Sequence, residues 1–136
     1  MRTLLLTTCL WLATPALAGP WDRGAPALLP VDQAFILEPV TWQAGELRLE
    51  WRIAPGYYLY RHRMALELPG VSLQLPAGLA HADEHFGEVR IYRDHVRASA
   101  ALAQPPAQIG VSYQGCADAG VCYPVQTRRV AVERLP

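Results

Sequence analysis

From Glu46 to Ile53 the chain alternates without a slip. Leu47, Leu49, Trp51 and Ile53 are apolar, and Glu46, Arg48, Glu50 and Arg52 between them are charged. Successive side chains of a strand point to opposite faces, so this period of two predicts one face in a core and the other in water. The rhythm recurs in Met64, Leu66 and Leu68, and again after Pro69-Gly70 in Val71, Leu73 and Leu75. "AFILEPV" is a short apolar run ending at a proline, which suits an edge strand. "VRIYRDHVRASAAL" supplies one or two strands, "IGVSYQG" another and "RRVAVERL" the last. "APG" and "QPPAQ" read as turns, "GPWDRGAPALLPVDQ" as an extended lead-in, and "PAGLAHADEHFGE" as a loop closing at Gly87. No stretch carries a helical period. Seven to nine short strands between Gly/Pro turns predict an all-β protein, an immunoglobulin-like antiparallel β-sandwich.

The first residues break this pattern. "MRTLLLTTCLWLATPALAGP" has one charge, Arg2, then an apolar run from Leu4 to Ala13, then Ala16-Leu17-Ala18. That is the layout of a secretory signal cleaved after Ala18, and the run is too short for a membrane span. The expected organisation is a signal peptide over residues 1–18 and a single domain over residues 19–136. Cys9 leaves with the signal, so Cys116 and Cys122 are the cysteines of the mature chain, in a compartment where a disulfide can form. Charge adds exclusions. Twelve cationic residues, all arginine, balance twelve acidic ones. There is no basic bias toward nucleic acid and no lysine for Schiff-base chemistry. A small neutral domain gives no reason to expect more than a monomer.

The chemistry concentrates in "YQGCADAGVCYPVQTRR". A link between Cys116 and Cys122 closes a short loop, "ADAGV", and constrains the unfolded chain less than a distant link would. The short loop favours a dithiol that passes electrons, although a structural staple is still the commoner reading for two cysteines of an exported domain. Asp118 lies inside the loop with no Lys, His or Arg close before Arg128, so the thiols are expected to be sluggish. Tyr113 and Tyr123 flank the pair, either as an apolar collar or as ordinary strand residues. "HADEHFG" reads as a polar surface loop, as a lid with His85 and Phe86 at its tip, or as a metal site. A metal is disfavoured because His81 and His85 align only on a helix. Tyr57, Tyr58 and Tyr60 give a strand an aromatic face or line a docking surface. No nucleophile triad, phosphate loop or acid pair stands out.

"PVDQAF", "GYYLYRHRM", "HADEHFGEVRIYRD" and "SYQGCADAGVCYPVQT" together resemble, in order and spacing, the N-terminal periplasmic domain of the thiol:disulfide interchange protein DsbD. The resemblance runs from about Pro30 to Val132. It implies a periplasmic immunoglobulin-like domain with no cofactor beyond a redox-active disulfide, Cys116–Cys122, and no metal. It implies an oxidoreductase that takes electrons from a thioredoxin-like donor domain. Exported thioredoxin-fold acceptors, of the disulfide-isomerase or cytochrome-maturation type, would receive them. Cys122 would form the mixed disulfide and Cys116 resolve it. Asp83, Glu84, His85, Phe86 and Gly87 match a cap loop that shields the pair, with the acidic residues near the sulfurs. Tyr58, Tyr60, Asp118 and Tyr123 are expected around the site. Three departures stand out. His85 takes the cap aromatic's place with Phe86 beside it, Val121 and Val125 replace a Phe and a Pro, and no membrane domain follows. A separate electron donor is therefore expected. The competing class is an exported binding module in which the disulfide is only a staple.

Overall fold

The computed structural model describes residues 27–136. The signal peptide expected over residues 1–18, with Cys9, lies outside them. Twelve strands follow a one-turn helix, Val31–Ala34. The first five are β1 (Phe35–Leu37), β2 (Val40–Gln43), β3 (Glu46–Ile53), β4 (Tyr57–Tyr60) and β5 (Ala65–Leu66). Next come β6 (Leu79–Asp83), β7 (Gly87–Tyr92), β8 (His95–Ala101) and β9 (Gln108–Tyr113). The last three are β10 (Gly115–Ala117), β11 (Val121–Cys122) and β12 (Gln126–Arg134). One sheet runs β1-β3-β2-β12-β9-β5 with β8 also on β3, and the other runs β11-β10-β4-β7-β6. This is the all-β sandwich the sequence predicts. One described pair departs from the antiparallel expectation: β2 and β12 run parallel, with Val132 opposite Val40. No described helix is long and apolar enough to cross a membrane.

β3 behaves as its alternation requires. Leu47, Leu49, Trp51 and Ile53 are buried, while Arg48 and Arg52 are exposed. These four join Phe35, Val40, Leu59, Val96, Ile109, Val111 and Tyr113 in one apolar cluster. Burial of a large apolar side chain contributes about 1.5–3 kcal/mol, so this cluster is the main source of the sandwich's stability. β1 stands at the sheet edge, as the Pro39 that follows it implies.

Three local expectations need correction. "VSLQL" is not a strand and makes one isolated bridge, Gln74 to Ser99. Val71, Leu73 and Leu75 still turn onto the core, so the alternation reports burial without a ladder. "LAHAD", read as loop, is β6, paired with β7 from Leu79–Ile91 to Asp83–Gly87. As an edge strand with largely exposed side chains it has no apolar face to announce it. The lead-in is not wholly extended, because Pro30 accepts hydrogen bonds from Gln33 and Ala34 and starts the short helix.

Candidate active site

The site is an edge hairpin. β10 pairs with β4 on one side and with β11 on the other, and Cys116 lies directly opposite Cys122. The two sulfurs form a disulfide, with Cα atoms 4.0 Å apart. The turn closes through Gly120, whose amide donates to the Ala117 carbonyl at 3.0 Å and whose φ of +87° favours glycine. Gly115 is needed for a different reason. A Cβ there would lie 2.3 Å from the Tyr58 carbonyl oxygen and 2.5 Å from the Phe35 ring. The hairpin makes its two cysteines unequal: Cys116 is fully buried, whereas Cys122 is exposed on the last strand of the sheet.

Tyr60 connects the sulfurs to the loop that starts at Asp83. Its hydroxyl oxygen lies 3.1 Å from Cys116 Sγ and 3.9 Å from Cys122 Sγ. Its single hydrogen is donated to Asp83 Oδ2. Burial first, and then that bond to Asp83, push the phenol's pKa far above its ordinary range, so Tyr60 keeps its hydrogen. Asp83 is set from three directions. Its other oxygen accepts the backbone amides of His85 at 2.8 Å and Phe86 at 3.0 Å, which shapes the loop tip. Burial works to raise the Asp83 carboxyl. The bonds from Tyr60, His85 and Phe86 outweigh it and hold the group below the usual carboxylate range. An anion is thus held one hydroxyl away from the sulfurs, where it disfavours a second anion.

The loop from Asp83 to Gly87 divides its labour. Asp83, Glu84 and His85 face Cys122 across a cleft of about 190 Å³, which Tyr58, His81 and Asp118 also line. Phe86 sits elsewhere. Its ring packs edge-on against Tyr60 at 5.2 Å and His62 at 4.9 Å, and the Arg63 guanidinium lies 4.8 Å from its centre. Burial, then the charge of Arg63, lowers the pKa of His62. His85 therefore lines the cleft with Cys122, and Phe86 is seated on the Tyr60 ring. His62 and Arg63 were not candidates in the sequence, because nothing in "RHR" marks a seat for a ring 23 positions away.

Asp118 corrects an expectation. No cation lies near it in sequence, yet Arg93 reaches it with two parallel bonds of 3.0 and 2.8 Å. This pair, rather than isolation, holds the Asp118 carboxyl below its ordinary range. Tyr123 is near the cysteines in sequence and faces the core. Its ring packs on Phe35 and Tyr57, and its hydroxyl donates to the Leu29 carbonyl. Tyr113 packs on Trp51. Tyr113 ends β9 and Tyr123 follows β11, and both pack against the main core rather than around the sulfurs. Among the described residues no group of three His, Cys, Asp or Glu side chains is placed to hold a metal ion.

A β-sandwich with one exposed and one buried sulfur on an edge hairpin, under a loop from the neighbouring hairpin, defines a disulfide-presenting domain. The chain belongs to the DsbD N-terminal family: the family model described as thiol:disulfide interchange protein DsbD, N-terminal, matches residues 25–134. The DsbD protein of Cronobacter sakazakii is 41% identical over 98% of this chain, and DsbD 2 of Pseudomonas aeruginosa is 41% identical over 94% of it. The chain spans about a quarter of the length of these curated relatives, 24% and 23%. Among solved structures, the reduced DsbD N-terminal domain of Neisseria meningitidis matches with a TM-score of 0.68 and 27% identity, over 78% of this chain and 90% of that one. The same organism's DsbD N-terminal domain in complex with the PilB N-terminal domain matches with a TM-score of 0.65 and 27% identity, over 79% and 88%.

Proposed function

We propose that this is a periplasmic thiol:disulfide exchange domain, delivered by a signal peptide cleaved after Ala18. It takes two electrons from a thioredoxin-like donor and passes them to exported thioredoxin-fold acceptors. The carrying observation is the inequality of the two sulfurs, one buried against Tyr60 and one exposed at the sheet edge. A staple has no use for an exposed sulfur facing a cleft. Family membership supports the reading, as does the complex that the Neisseria domain forms with a PilB N-terminal domain.

The exposure of Cys122 and the burial of Cys116 support the following steps. In the reduced protein the Cys122 thiolate, the accessible one, attacks a partner disulfide. A Cys122–partner bond forms, and the partner's second sulfur leaves as a thiolate and takes a proton. The Cys116 thiolate then attacks Cys122 Sγ, directly across the hairpin. The Cys116–Cys122 bond forms, the partner's first sulfur leaves and is protonated, and the partner is reduced by two electrons. Tyr60 has a state-dependent role. Its one hydrogen belongs to Asp83, so its oxygen offers lone pairs to Cys116. A disulfide sulfur cannot donate to them, whereas a Cys116 thiol can. Tyr60 thus favours the protonated, reduced form. Asp83 discourages a thiolate until a partner displaces the cap.

The deciding experiment is the reduction potential of the domain, by thiol trapping and mass in graded dithiothreitol and glutathione buffers. A value well above about −300 mV supports exchange, because structural disulfides lie below it. A value well below makes Cys116–Cys122 a staple and the protein a binding module. Cys116→Ser should then distinguish partners, by accumulating a mixed disulfide through Cys122.

A further inference from the structure

The turn that carries Cys122 is tied to the sandwich by a side chain outside the cysteine motif. Arg93 lies between β7 and β8, and Asp118 follows β10. The two meet fork to fork, Nη1 on Oδ2 at 3.0 Å and Nη2 on Oδ1 at 2.8 Å, the geometry in which a guanidinium holds a carboxylate best. The guanidinium also lies 5.2 Å over the Tyr58 ring, which packs edge-on against Tyr60 and at 4.9 Å from His81. The backbone of Asp118 has its own anchor, since its amide donates to the Gly56 carbonyl at 2.8 Å. The turn's main chain is therefore held without Arg93, which acts on the side chain and its charge.

That charge bears on the site. From the β6–β7 hairpin, Asp83, Glu84, His81 and His85 face the cleft with Cys122. Tyr58 faces it from β4, with Tyr60 beneath the sulfurs, and Asp118 faces it from the turn. Three carboxylates thus line the same cleft as the sulfur that must become an anion. Two of them, Asp83 and Asp118, have partners of different kinds: a neutral hydroxyl for Asp83 and a cation for Asp118.

We propose that Arg93 is a positioning residue for thiol–disulfide exchange: by pairing Asp118 it cancels one carboxylate charge around Cys122 and so sets how readily Cys122 becomes the attacking thiolate. This rests on the reading of Cys122 as the attacking sulfur. An unpaired Asp118 would oppose the thiolate as any nearby like charge does. Asp83 and Glu84 restrain Cys122 in the closed state, and Arg93 keeps that restraint from growing by a third charge.

The test is a charge cycle on Cys116→Ser protein, with iodoacetamide alkylation followed at the Cys122 peptide by mass between pH 6 and 11. Arg93→Gln should shift the profile to higher pH and slow the reaction at pH 7 by about three- to tenfold. Asp118→Asn, which leaves Arg93 unpaired, should speed it by a similar factor. The double variant should return to within about twofold of the parent. Melting curves on each variant report the fold separately. If Arg93→Gln does not fold, Asp118→Asn alone decides, and an unmoved rate overturns the proposal. It is also overturned if the double variant stays as slow as Arg93→Gln, since Arg93 would then act through structure alone. If the wild-type disulfide lies below about −300 mV and reduced protein does not exchange with oxidised glutathione, the exchange reading fails first and the proposal falls with it. Normal wild-type exchange with a flat charge cycle sinks the Arg93 proposal and leaves the exchange reading standing.

Discussion

Strand β4 feeds two buried clusters at once. Tyr57 and Leu59 enter the main core with Trp51, Leu47 and Val111, while Tyr58 and Tyr60 on the opposite face form a small cluster with Ile91 and Cys116. All four residues of β4 are buried. What separates the two faces is what the polar ends meet. On the core side Leu59 carries no polar atom and Tyr57 anchors the Leu29 amide. On the other side Tyr60 meets a carboxylate and two sulfurs, and Tyr58 meets an arginine and a histidine. Equal burial thus serves packing on one face and seats the disulfide on the other.

The contrast can be broken from either side. Cys122→Ser should abolish exchange while leaving the sandwich folded. Loss of a link closing so short a loop costs about 2 kcal/mol, and a stopped-exchange assay beside a melting curve checks both parts. Trp51→Ala should cost about 3–5 kcal/mol by urea unfolding and leave the reduction potential unmoved. A shifted potential there would mean the two clusters are not independent. Gly115→Ala should disturb both, because its Cβ would strike the β4 backbone at the Tyr58 carbonyl and the Phe35 ring of the main core. Overpacking of this kind costs about 1–3 kcal/mol, and exchange should slow as well.

Tyr60→Phe sharpens the comparison with a smaller effect. It removes the acceptor for the Cys116 thiol, so the reduced form loses about 1 kcal/mol of support and the potential falls by about 20 mV. A rise, or no change, would show that the hydroxyl does not distinguish the two redox states. The smallest effect concerns pH. The folded-state pKa of Asp83 lies below its unfolded value. Its contribution to stability is therefore fully present above about pH 4 and is lost as pH falls through the folded value. Asp83→Asn should flatten that acid limb in melting curves taken from pH 5 to pH 2. Asp118 loses stability in the same direction, by less, because its side chain is half exposed and its ion pair is screened.

β3 was legible because one of its faces meets core and the other meets water, so hydrophobicity and geometry share a period of two. β4 was not legible as two-faced: Tyr57, Tyr58, Leu59 and Tyr60 are all apolar to the eye, and only the neighbours tell the faces apart. β6 was missed because an exposed edge strand asks nothing of its side chains. At the site, the disulfide and the loop that shares its cleft could be read because their residues lie together in the chain. Arg93 and His62 could not, since each acts on a residue more than 20 positions away, and no local pattern encodes a tertiary pair. Asp118 illustrates the limit: its sequence neighbours made it a lone anion, and the fold supplies its cation.

The parallel pair of β2 and β12 has a consequence in time. Val40 and Val132 sit side by side, so this part of the sheet cannot close until nearly the whole domain has been synthesised. Cys116 and Cys122 are six positions apart and can meet as soon as their own hairpin exists. Closing a loop of about ten residues takes on the order of 10–100 ns, and β-proteins dominated by distant pairings fold in milliseconds to seconds. The sulfurs therefore come within reach of each other long before the scaffold that will govern them, and their early history is written by the surrounding redox medium before Tyr60 and Asp83 take control.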